Sequence, residues 1–431
     1  MKEKLNLVLT SFLFLTLFFA CSDHRFEAYP LTYPNLAEAS NPTLLGNVNG
    51  VQVYNGGFGS ALVQDPRDPN FFYMLTDRGP NIDGTILNSK VFARPDFVPQ
   101  VGKFRLVNDQ LVLEQIIELK NQSGGKMNGL PNPGLGSSGE IALDVAGNTL
   151  TPSADGIDSE GMAIGADGSF WVSDEYGPYI VHFDGTGKTI ERLTPFSLNA
   201  AGRKIPTVFA RRRANRGMEG LTITPDGKTL VGIMQFPLYN PSSAAISGSL
   251  VTRILTYDIA TGATKQFVYL IEAANLQANS EIAAITNTTF LVLERDGLFP
   301  TNANKATVFK KVFKIDITGA TDISDPADGV GGKLYSGKTV EELKTAASLQ
   351  SNGIVTVTKT LVADLMKDIP TLYPHDKAEG IAIINPSLIA IANDDDFGVV
   401  GVGQYMSKIL DGTGTVDRNR IYFIKLNQPL K

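Results

Sequence analysis

One glutamate recurs at the same position of a repeated sequence pattern. Each copy begins with Glu and small or apolar residues, passes through a turn, and ends in a second apolar segment followed by polar groups, as in DSEGMAIGADGSFWVSDEYGPYI at residues 158–180. The copies contribute Glu160, Glu219, Glu281 and Glu379, whereas an earlier copy has Phe58 instead. A repeat built only for packing would place an apolar side chain there, so the glutamates indicate a chemical role.

Polar residues that follow the second apolar segments are the expected partners of these glutamates. They are Asp77, Asp174, Glu294, Asn393 and Asp394. Carboxylates held close together raise one another's pKa unless a cation compensates, and Ca²⁺ accepts about six to eight oxygen ligands in irregular geometry. We therefore expect these five residues and the four glutamates to ligate a metal ion, with Ca²⁺ as the cofactor. Zinc and copper fit poorly, because the chain beyond Cys21 has no cysteine and the sequence holds only three histidines.

Arginines stand at the same segment ends as the acids. Arg78, Arg216 and Arg295 are expected to bind a substrate, since guanidinium groups bind phosphate and other oxyanions in bidentate fashion. A cation beside them would polarise an ester and lower the pKa of a bound water, and a carboxylate would act as general base. The expected catalytic residues are Glu160, Glu219, Glu379, Asp174 and His375. The alternative is that each acid is structural and pairs with an arginine of its own unit.

A serine-based hydrolase is disfavoured. The sequence has no Gly-x-Ser-x-Gly nucleophile elbow. His375 lies four residues before Glu379, which is compatible with a place near the acids, whereas His182 lies within an apolar strand. Metal-assisted chemistry by carboxylates is the better interpretation.

The repeated pattern predicts strands that would position these groups. Its five copies, and further pairs between them such as RILTYDIATGATKQFVYLI at 253–271, combine apolar runs with Gly or Asp turns, which is typical of β-hairpins. Two hairpins make a four-stranded unit, and such units repeated radially form the blades of a β-propeller. The predicted fold is therefore an all-β β-propeller. The length after the N-terminal region, about 385 residues, accommodates six four-stranded blades, with five or seven as alternatives.

A propeller would bring distant acids together. The first strand of each blade lines the central channel, so side chains near its start project toward one mouth of the channel. The final strand, RIYFIKL at 420–426, is expected to pair with an early strand and close the ring. A polar insertion before it predicts a short helix near residues 340–349.

The N-terminus carries an export signal. Two lysines precede an apolar run that ends at Ala20 and is followed by Cys21, which predicts a lipoprotein signal peptide over 1–21 with lipidated Cys21. A plain signal peptide is the alternative. Residues 22–45 are expected to form a tether, and 46–431 a single propeller domain. We expect an exported protein that is lipid-anchored in the bacterial cell envelope, at the outer membrane or the periplasmic face.

Composition bounds the partners. The 431 residues are 43% hydrophobic and 19% charged, as in an ordinary folded protein, and the formal net charge of −6 argues against a nucleic-acid partner. We expect a monomer whose partners are a small-molecule ester or phosphoester substrate and, through Cys21, a membrane.

Several motifs in fixed order resemble a known family. These are SEGMAI with WVSDEYGPYI, MEGLTITPDGKTLVGIMQFPL, LVLERDG, KAEGIAI and NDDDFG, with TDRGPN upstream. Together they resemble the phytase-like domain, also described as having esterase-like activity of phytase, from about Asn49 to Leu426. The resemblance implies a propeller fold and hydrolysis of phosphoesters or carboxyl esters. It also suggests, more distantly, the calcium-dependent β-propeller phytases, whose phosphate sits over a metal cluster in an acidic channel mouth. The active-site signature of those enzymes is not matched here, so the resemblance guides fold more than activity.

Three functional hypotheses follow from the sequence. The first is a lipid-anchored, metal-dependent ester or phosphoester hydrolase. The second is a non-catalytic propeller, stabilised by calcium, that binds a ligand or a partner protein. The third is a lactonase-type propeller, in which one axial metal held by Glu, Asn and Asp opens a sugar lactone.

Overall fold

Three four-stranded antiparallel sheets and one eight-stranded sheet dominate the computed structural model, which describes residues 32–134, 136–274, 276–410 and 413–430. The eight-stranded sheet consists of two antiparallel groups of four strands, which are joined where Leu36–Ala39 pairs parallel with Gln110–Glu118. We number the five groups of four strands blades 1 to 5, in the order in which their innermost strands follow along the chain. From innermost to outermost, the strands are Ala61–Gln64, Phe71–Leu75, Gln100–Val107 and Gln110–Glu118 in blade 1; Ser159–Ile164, Phe170–Asp174, Ile180–Phe183 and Thr189–Leu193 in blade 2; Met218–Ile223, Thr229–Met234, Val251–Asp258 and Thr264–Leu270 in blade 3; Ala278–Ala284, Thr289–Arg295, Lys310–Asp316 and Thr358–Asp364 in blade 4; and Ile381–Asn385, Leu388–Ala392, Arg420–Lys425 and Leu36–Ala39 in blade 5.

The innermost strands of the five blades form a closed ring. Each contacts the innermost strand of the next blade, and that of blade 5 contacts that of blade 1. Four-stranded sheets arranged radially in this way are a β-propeller, so the predicted fold is confirmed. The described residues hold five blades, which is the lower end of the predicted range. Chain length suggested six because insertions, such as residues 119–158 and 317–357, use chain without adding a blade.

Blade 5 closes the ring with strands from both ends of the chain. Strand Arg420–Lys425 pairs antiparallel with Leu36–Ala39, with Leu36 opposite Tyr422 and Glu38 opposite Arg420. The predicted pairing of the last strand with an early one is therefore confirmed. Leu36–Ala39 falls inside the segment 22–45 that was expected to be a tether, so that part of the prediction is corrected: these residues are the outermost strand of a blade.

The Glu-Gly pairs of the repeat explain how the inner strands approach one another. A Cβ atom at Gly161 would overlap the backbone nitrogen of Leu221 in blade 3, and one at Gly220 would overlap that of Ile282 in blade 4. Glycine is the residue that permits such close backbone approach. The glutamate before each glycine is consequently held near its counterparts in the neighbouring blades.

The apolar core lies between neighbouring blades. Val101 of blade 1 belongs to one packed cluster with Val172 and Val181 of blade 2. Leu291 of blade 4 and Ile389 of blade 5 belong to another. Burial of apolar surface is the main favourable contribution to folding, so each blade depends on the two beside it.

Short elements outside the blades connect and cover them. They are the three-stranded sheet of Asn81–Asp83, Ser89–Phe92 and Ile141–Leu143, the strand pairs Leu44–Val48 with Val51–Tyr54 and Val399–Val400 with Met406–Ser407, the α-helices Val340–Leu343, Ala346–Ser351 and Leu365–Asp368, and the 3₁₀-helices Thr207–Arg211 and Asp396–Gly398. The first two helices confirm the helix predicted near residues 340–349. Glu341 on the first of them forms a buried ion pair with Arg253 of blade 3, at 2.6 Å.

The predicted signal peptide and the predicted lipidation site at Cys21 lie outside the described residues, and both stay predictions. In the part of the chain that the structure does describe, none of the helices has the length and apolar character needed to cross a membrane.

Candidate functional site

A cavity of about 960 Å³ opens at one end of the ring of inner strands. In each antiparallel hairpin, the start of the inner strand and the end of the second strand lie at the same end. The cavity is lined by residues from both places, for example Glu160 and Glu219 at inner-strand starts and Arg295 and Gln235 at second-strand ends. The repeat therefore delivers polar side chains to one place, as the sequence predicted.

Acids outnumber bases in this cavity. Among the described residues, ten carboxylates and five cationic side chains line it. The carboxylates belong to Asp77, Asp83, Glu140, Asp158, Glu160, Glu175, Glu219, Asp296, Glu379 and Asp396, and the cations to Arg78, Lys90, Arg216, Arg295 and Lys377. The excess of negative charge disposes the cavity to hold cations.

A β-bulge lies at the start of the inner strand in blades 2, 3 and 4. The pairing register with the second strand shifts by one residue beside Glu160, Glu219 and Glu281. A bulge interrupts the regular alternation of side chains and re-aims those next to it, and bulges are frequent beside active sites. Of the three glutamates beside these bulges, Glu160 and Glu219 line the cavity.

Three carboxylates of the cavity come close enough to share one ion. Asp158, Glu160 and Glu175 each offer a ligand oxygen, and these oxygens all lie within 4.8 Å of one another. Asp158 directly precedes the inner strand of blade 2, Glu160 lies in that strand, and Glu175 directly follows the second strand. Glu160 is a predicted metal ligand, whereas the sequence analysis did not select the other two.

Burial and mutual repulsion raise the pKa values of these three acids. Burial, reinforced by the neighbouring Glu219, Asp158 and Glu175, raises the pKa of Glu160 well above its ordinary value. Burial also raises the pKa of Asp158 to about 6, against the opposing effect of the Arg78 guanidinium. It raises the pKa of Glu175 to about 7, although Arg216 opposes the shift. A bound cation would favour the charged form of all three.

Three buried oxygens at the cavity have no hydrogen-bond donor among the described residues. They are Asp158 Oδ2, Glu219 Oε2 and Gln235 Oε1. Of these, Asp158 Oδ2 still lies 3.4 Å from Arg78 Nη1 in an ion pair. Gln235 donates from Nε2 to Glu219 Oε1 at 2.5 Å, which orients both side chains. Buried acceptors without donors are unfavourable, and oxygen atoms are the ligands that Ca²⁺ and Mg²⁺ prefer. The residues present therefore fit a hard divalent cation.

The three predicted substrate-binding arginines all line the cavity, and each is held by an acid. Arg78 Nη1 donates to both carboxylate oxygens of Glu140, at 3.0 and 3.1 Å. Arg216 Nη1 donates to Glu175 at 3.0 Å. Arg295 forms an ion pair with Glu379, and its Nε donates to Ser280 Oγ at 3.0 Å. Their role toward a substrate stays a prediction.

A second charged group lies at the blade 5 side of the cavity. Lys377 Nζ is 2.6 Å from Asp396 Oδ1 and 2.7 Å from Asp394 Oδ2. Lys377 and Asp396 line the cavity. The predicted metal ligand Asp394 does not line it, but it forms an ion pair with Lys377. Asp77 also lines the cavity as predicted, and burial raises its pKa to about 6.

Two predicted site residues, Asp174 and Glu281, accept hydrogen bonds from backbone N–H groups beside the cavity and do not line it. Asp174 Oδ1 accepts hydrogen bonds from the backbone N–H groups of Asp158 and Tyr176, at 3.2 and 2.9 Å. Glu281 Oε1 accepts from those of Leu221 and Ile282, both at 2.9 Å. Neither carboxylate lines the cavity, because each is turned onto the backbone of its own or the adjacent blade.

The prediction also placed Glu294, His375 and Asn393 at the site, and the structure places them elsewhere. Glu294 is fully buried and accepts hydrogen bonds from Tyr269 and Lys359, at 2.7 and 2.8 Å. Strand alternation explains this, because it points Glu294 and Arg295 to opposite faces of the blade.

His375 and Asn393 do not line the cavity, and both contact the third strand of blade 5, Arg420–Lys425. His375 Nδ1 is 2.7 Å from Asp417 Oδ1, and its Nε2 is 2.8 Å from the Tyr422 hydroxyl. Burial lowers the pKa of His375. Asn393 Oδ1 accepts from the backbone N–H of Arg420 at 2.8 Å. Both side chains tie the closing strand of blade 5 in place.

Two of the residues that the sequence analysis missed, Asp158 and Glu140, have no counterparts in the other repeats. Asp158 lies two residues before Glu160, and the equivalent positions before Glu219 and Glu379 are Gly217 and Lys377. Glu140 belongs to the insertion between blades 1 and 2. A comparison of repeats cannot find such residues, although the acidic string Asp158 to Glu160 was a visible local signal.

Residues 332–339, GKLYSGKT, match the Gly-x-x-x-x-Gly-Lys-Thr phosphate-binding pattern, but their structure differs from a phosphate-binding loop. Such a loop connects a strand to a helix of several turns. Here Tyr335 and Lys338 exchange backbone hydrogen bonds across a turn, and Thr339 caps a helix of four residues. Residues 332–339 therefore lack the strand-to-helix geometry of a phosphate-binding loop.

A family of known proteins matches most of the chain. Residues 54–397 match the family described as "Phytase-like: Esterase-like activity of phytase". An uncharacterised secreted protein of Arthroderma benhamiae is 29% identical over 299 residues, which are 58% of this chain and 54% of that protein. The chain thus spans about half the length of this relative.

Solved structures give weaker likenesses. The PQQ-bound aldose sugar dehydrogenase of Streptomyces coelicolor is 11% identical, with a TM-score of 0.34 and coverage of 90% of this chain and 100% of that one. A protein from Lactobacillus plantarum is 10% identical, with a TM-score of 0.33 and coverage of 88% and 87%. Scores at this level support no functional inference, and the propeller assignment depends on the strand topology.

Proposed function

The chain belongs to the phytase-like family, described as having the esterase-like activity of phytase, and we propose that its acidic cavity is the active site of a cation-dependent hydrolase of phosphoesters. The observation that carries this proposal is the convergence of Asp158, Glu160 and Glu175 within 4.8 Å at the floor of an arginine-lined cavity. The family description supports ester hydrolysis, and the arginines favour a phosphate over an uncharged ester.

Asp158, Glu160 and Glu175 would hold the cation, with Ca²⁺ as the first candidate. They are oxygen ligands from both sides of one hairpin, and irregular oxygen sites suit Ca²⁺. A bound divalent cation supplies charge that stabilises the developing negative charge on the ester and lowers the pKa of bound water.

Glu219 is the proposed general base. Its Oε2 has no donor among the described residues, and its Oε1 is fixed by Gln235 at 2.5 Å. Burial and the nearby Glu175 raise the pKa of Glu219 well above its ordinary value, which makes its carboxylate a stronger proton acceptor. Glu219 would take a proton from the water that attacks phosphorus.

Arg216 and Arg295 are the proposed phosphate ligands. Both line the cavity, and each forms an ion pair with an acid, Arg216 with Glu175 and Arg295 with Glu379. A cation that shares Glu175 would compete with Arg216 for that carboxylate and leave its guanidinium for a phosphate. Because acids outnumber bases two to one, a phosphate would be repelled without the cation. Cation dependence is thus part of the proposal.

Export is proposed as well, with a lipid anchor at Cys21. The signal-like N-terminus supports it, as does the description of the Arthroderma benhamiae relative as secreted.

The test is a hydrolysis assay of purified residues 22–431. The substrates are a nitrophenyl phosphate, a nitrophenyl phosphodiester, inositol hexakisphosphate, a nitrophenyl acetate and a sugar lactone, each with Ca²⁺ and with chelator. Chelator-sensitive release of phosphate or of nitrophenol from the phosphoesters supports the proposal, and its loss in Glu219→Gln ties it to the cavity. Glu114→Gln, on a partly exposed strand of blade 1, is the matched control.

Other outcomes decide between the remaining hypotheses. Turnover of the lactone alone would favour a lactonase-type propeller. Calcium-dependent stabilisation without turnover of any substrate would favour a non-catalytic binding propeller and contradict the proposal.

A further inference from the structure

Part of the wall of the charged cavity is apolar and exposed. Leu87, Leu276 and Val402 are 85%, 70% and 66% exposed, and Ile86 and Val400 are exposed to a smaller extent. All five line the same cavity as the acids. Single exposed apolar residues are ordinary, but a group of them around one opening is typical of a site that binds apolar surface.

Two adjoining hairpins hold four of these side chains. Asp83 on one forms a β-bridge with Val402 on the other, and the Gly403 N–H donates to the Asp83 carbonyl at 2.7 Å. The two charged side chains of these hairpins pair with each other, since Lys90 Nζ lies 2.6 Å from Asp83 Oδ1. This part of the rim therefore presents apolar surface without a net charge. Leu276 adds to it from the connection between blades 3 and 4.

One cavity thus combines two different surfaces. Its floor carries the acid cluster and the arginines, which suit a cation and an anion, whereas its rim suits a group that water solvates poorly. Burying apolar surface is favourable in proportion to the area removed from water. A polyol phosphate such as inositol phosphate would leave the rim uncovered.

We propose that the substrate is a phosphoester of an apolar alcohol, whose alkyl or aryl group packs against Leu87, Leu276 and Val402. This inference rests on the proposed function and assigns its substrate class. The phosphate would lie on the cavity floor beside Arg216 and Arg295. Attack of water on phosphorus breaks the bond to the ester oxygen, and the alcohol leaves with a proton while phosphate remains.

A binding series tests this substrate class separately from catalysis. Methyl-, butyl- and octylphosphonate keep the anion but cannot be hydrolysed at the carbon–phosphorus bond. Their dissociation constants are measured by calorimetry on residues 22–431 with saturating Ca²⁺, below the micellar concentration of the octyl compound. Affinity is expected to tighten by about two- to fourfold for each added methylene group, as far as the rim extends.

Two variants locate the effect. Leu87→Ser with Val402→Ser changes only exposed side chains, and we expect it to flatten the dependence on chain length. Leu198→Ser changes a side chain that is 61% exposed and does not line the cavity, and it is expected to keep that dependence. Octanol, which lacks the anion, is expected to bind far more weakly than octylphosphonate.

The outcomes separate this inference from the proposed function. Equal affinity for methyl- and octylphosphonate, or no binding of either, would overturn the substrate class even if the protein hydrolyses phosphoesters. A chain-length dependence that persists in the double variant would also overturn it. Failure of the hydrolysis assay bears on the proposed function, whatever the phosphonates do.

Discussion

The backbone N–H of Glu175 donates a 2.8 Å hydrogen bond to the carbonyl of Asp158. This bond joins the residue before the inner strand of blade 2 to the residue after its second strand, and Asp174 reinforces it by accepting from the Asp158 N–H at 3.2 Å. The two acids are therefore fixed side by side by backbone pairing, with Glu160 next to them. Held in this way, like charges are a preorganised cation site.

Removal of one acid from the cluster is expected to weaken calcium binding. Glu175→Gln keeps the size of the side chain but removes a charged ligand, so the dissociation constant for Ca²⁺ should rise by about 10- to 100-fold. Isothermal titration calorimetry measures this change, with Glu114→Gln as the control that binds normally. Loss of repulsion among the acids should leave the melting temperature of the cation-free variant at or above that of the parent. Unchanged Ca²⁺ affinity in Glu175→Gln would rule out its role as a ligand.

We expect Lys310 to make the free energy of unfolding depend on pH in the alkaline range. Burial lowers its pKa to about 8, with Arg295 acting in the same direction and Asp296 and Asp376 opposing. Between pH 8 and the unfolded value of 10.5, the unfolded chain binds more protons than the folded protein, so this group's contribution to the free energy of unfolding rises with pH. The difference between parent and Lys310→Met should grow by about 3 kcal/mol from pH 7.5 to 10.5. Urea unfolding at several pH values checks this, and parallel curves for the two proteins would contradict it.

The long insertion of blade 4 is expected to depend on one buried ion pair. Arg253 and Glu341 are both fully buried, with Nε to Oε1 at 2.6 Å. Glu341→Gln leaves the guanidinium without its charge partner, which should lower the free energy of unfolding by about 3–5 kcal/mol. The double change Arg253→Met with Glu341→Leu should cost less than the single one, because no buried charge is left unpaired. A loss below about 1 kcal/mol in the single variant would show that the pair is dispensable.

We expect closure of the ring of blades to depend on strand Leu36–Ala39. Deletion of residues 1–40 removes Leu36–Ala39 and leaves Arg420–Lys425 without its outer partner, so the melting temperature should fall by about 5–10 °C. Deletion of residues 1–31 keeps that strand and is the control. A synthetic peptide of residues 33–43 should restore part of the lost stability. Equal melting temperatures for the two truncated proteins would contradict closure by this strand.

Repetition made much of the fold and part of the site predictable. The five copies of the hairpin are the inner and second strands of the five blades. Glu160, Glu219 and Glu379 share one position of the repeat and reach the cavity, whereas Glu281 at that position does not. A comparison of repeats could not identify Asp158 and Glu140, because acids do not recur at their positions in the other blades.

Side-chain direction could not be predicted from segment ends alone. Asp174 and Glu175 are neighbours, yet one is turned into the blade and the other into the cavity, and Glu294 and Arg295 divide in the same way. Alternation along a strand decides which neighbour faces the cavity, and a shift of one residue in the strand boundary exchanges them. The bulges at the inner-strand starts add a further shift that no sequence pattern marks.

Anomalous diffraction from a crystal of residues 22–431 soaked in Ca²⁺ tests the central claim most directly. We predict a peak bound by oxygens of Asp158, Glu160 and Glu175, at about 2.3–2.6 Å from each. A crystal with no peak at these three residues, in which Glu175 stays bound to Arg216 at saturating Ca²⁺, would contradict the account.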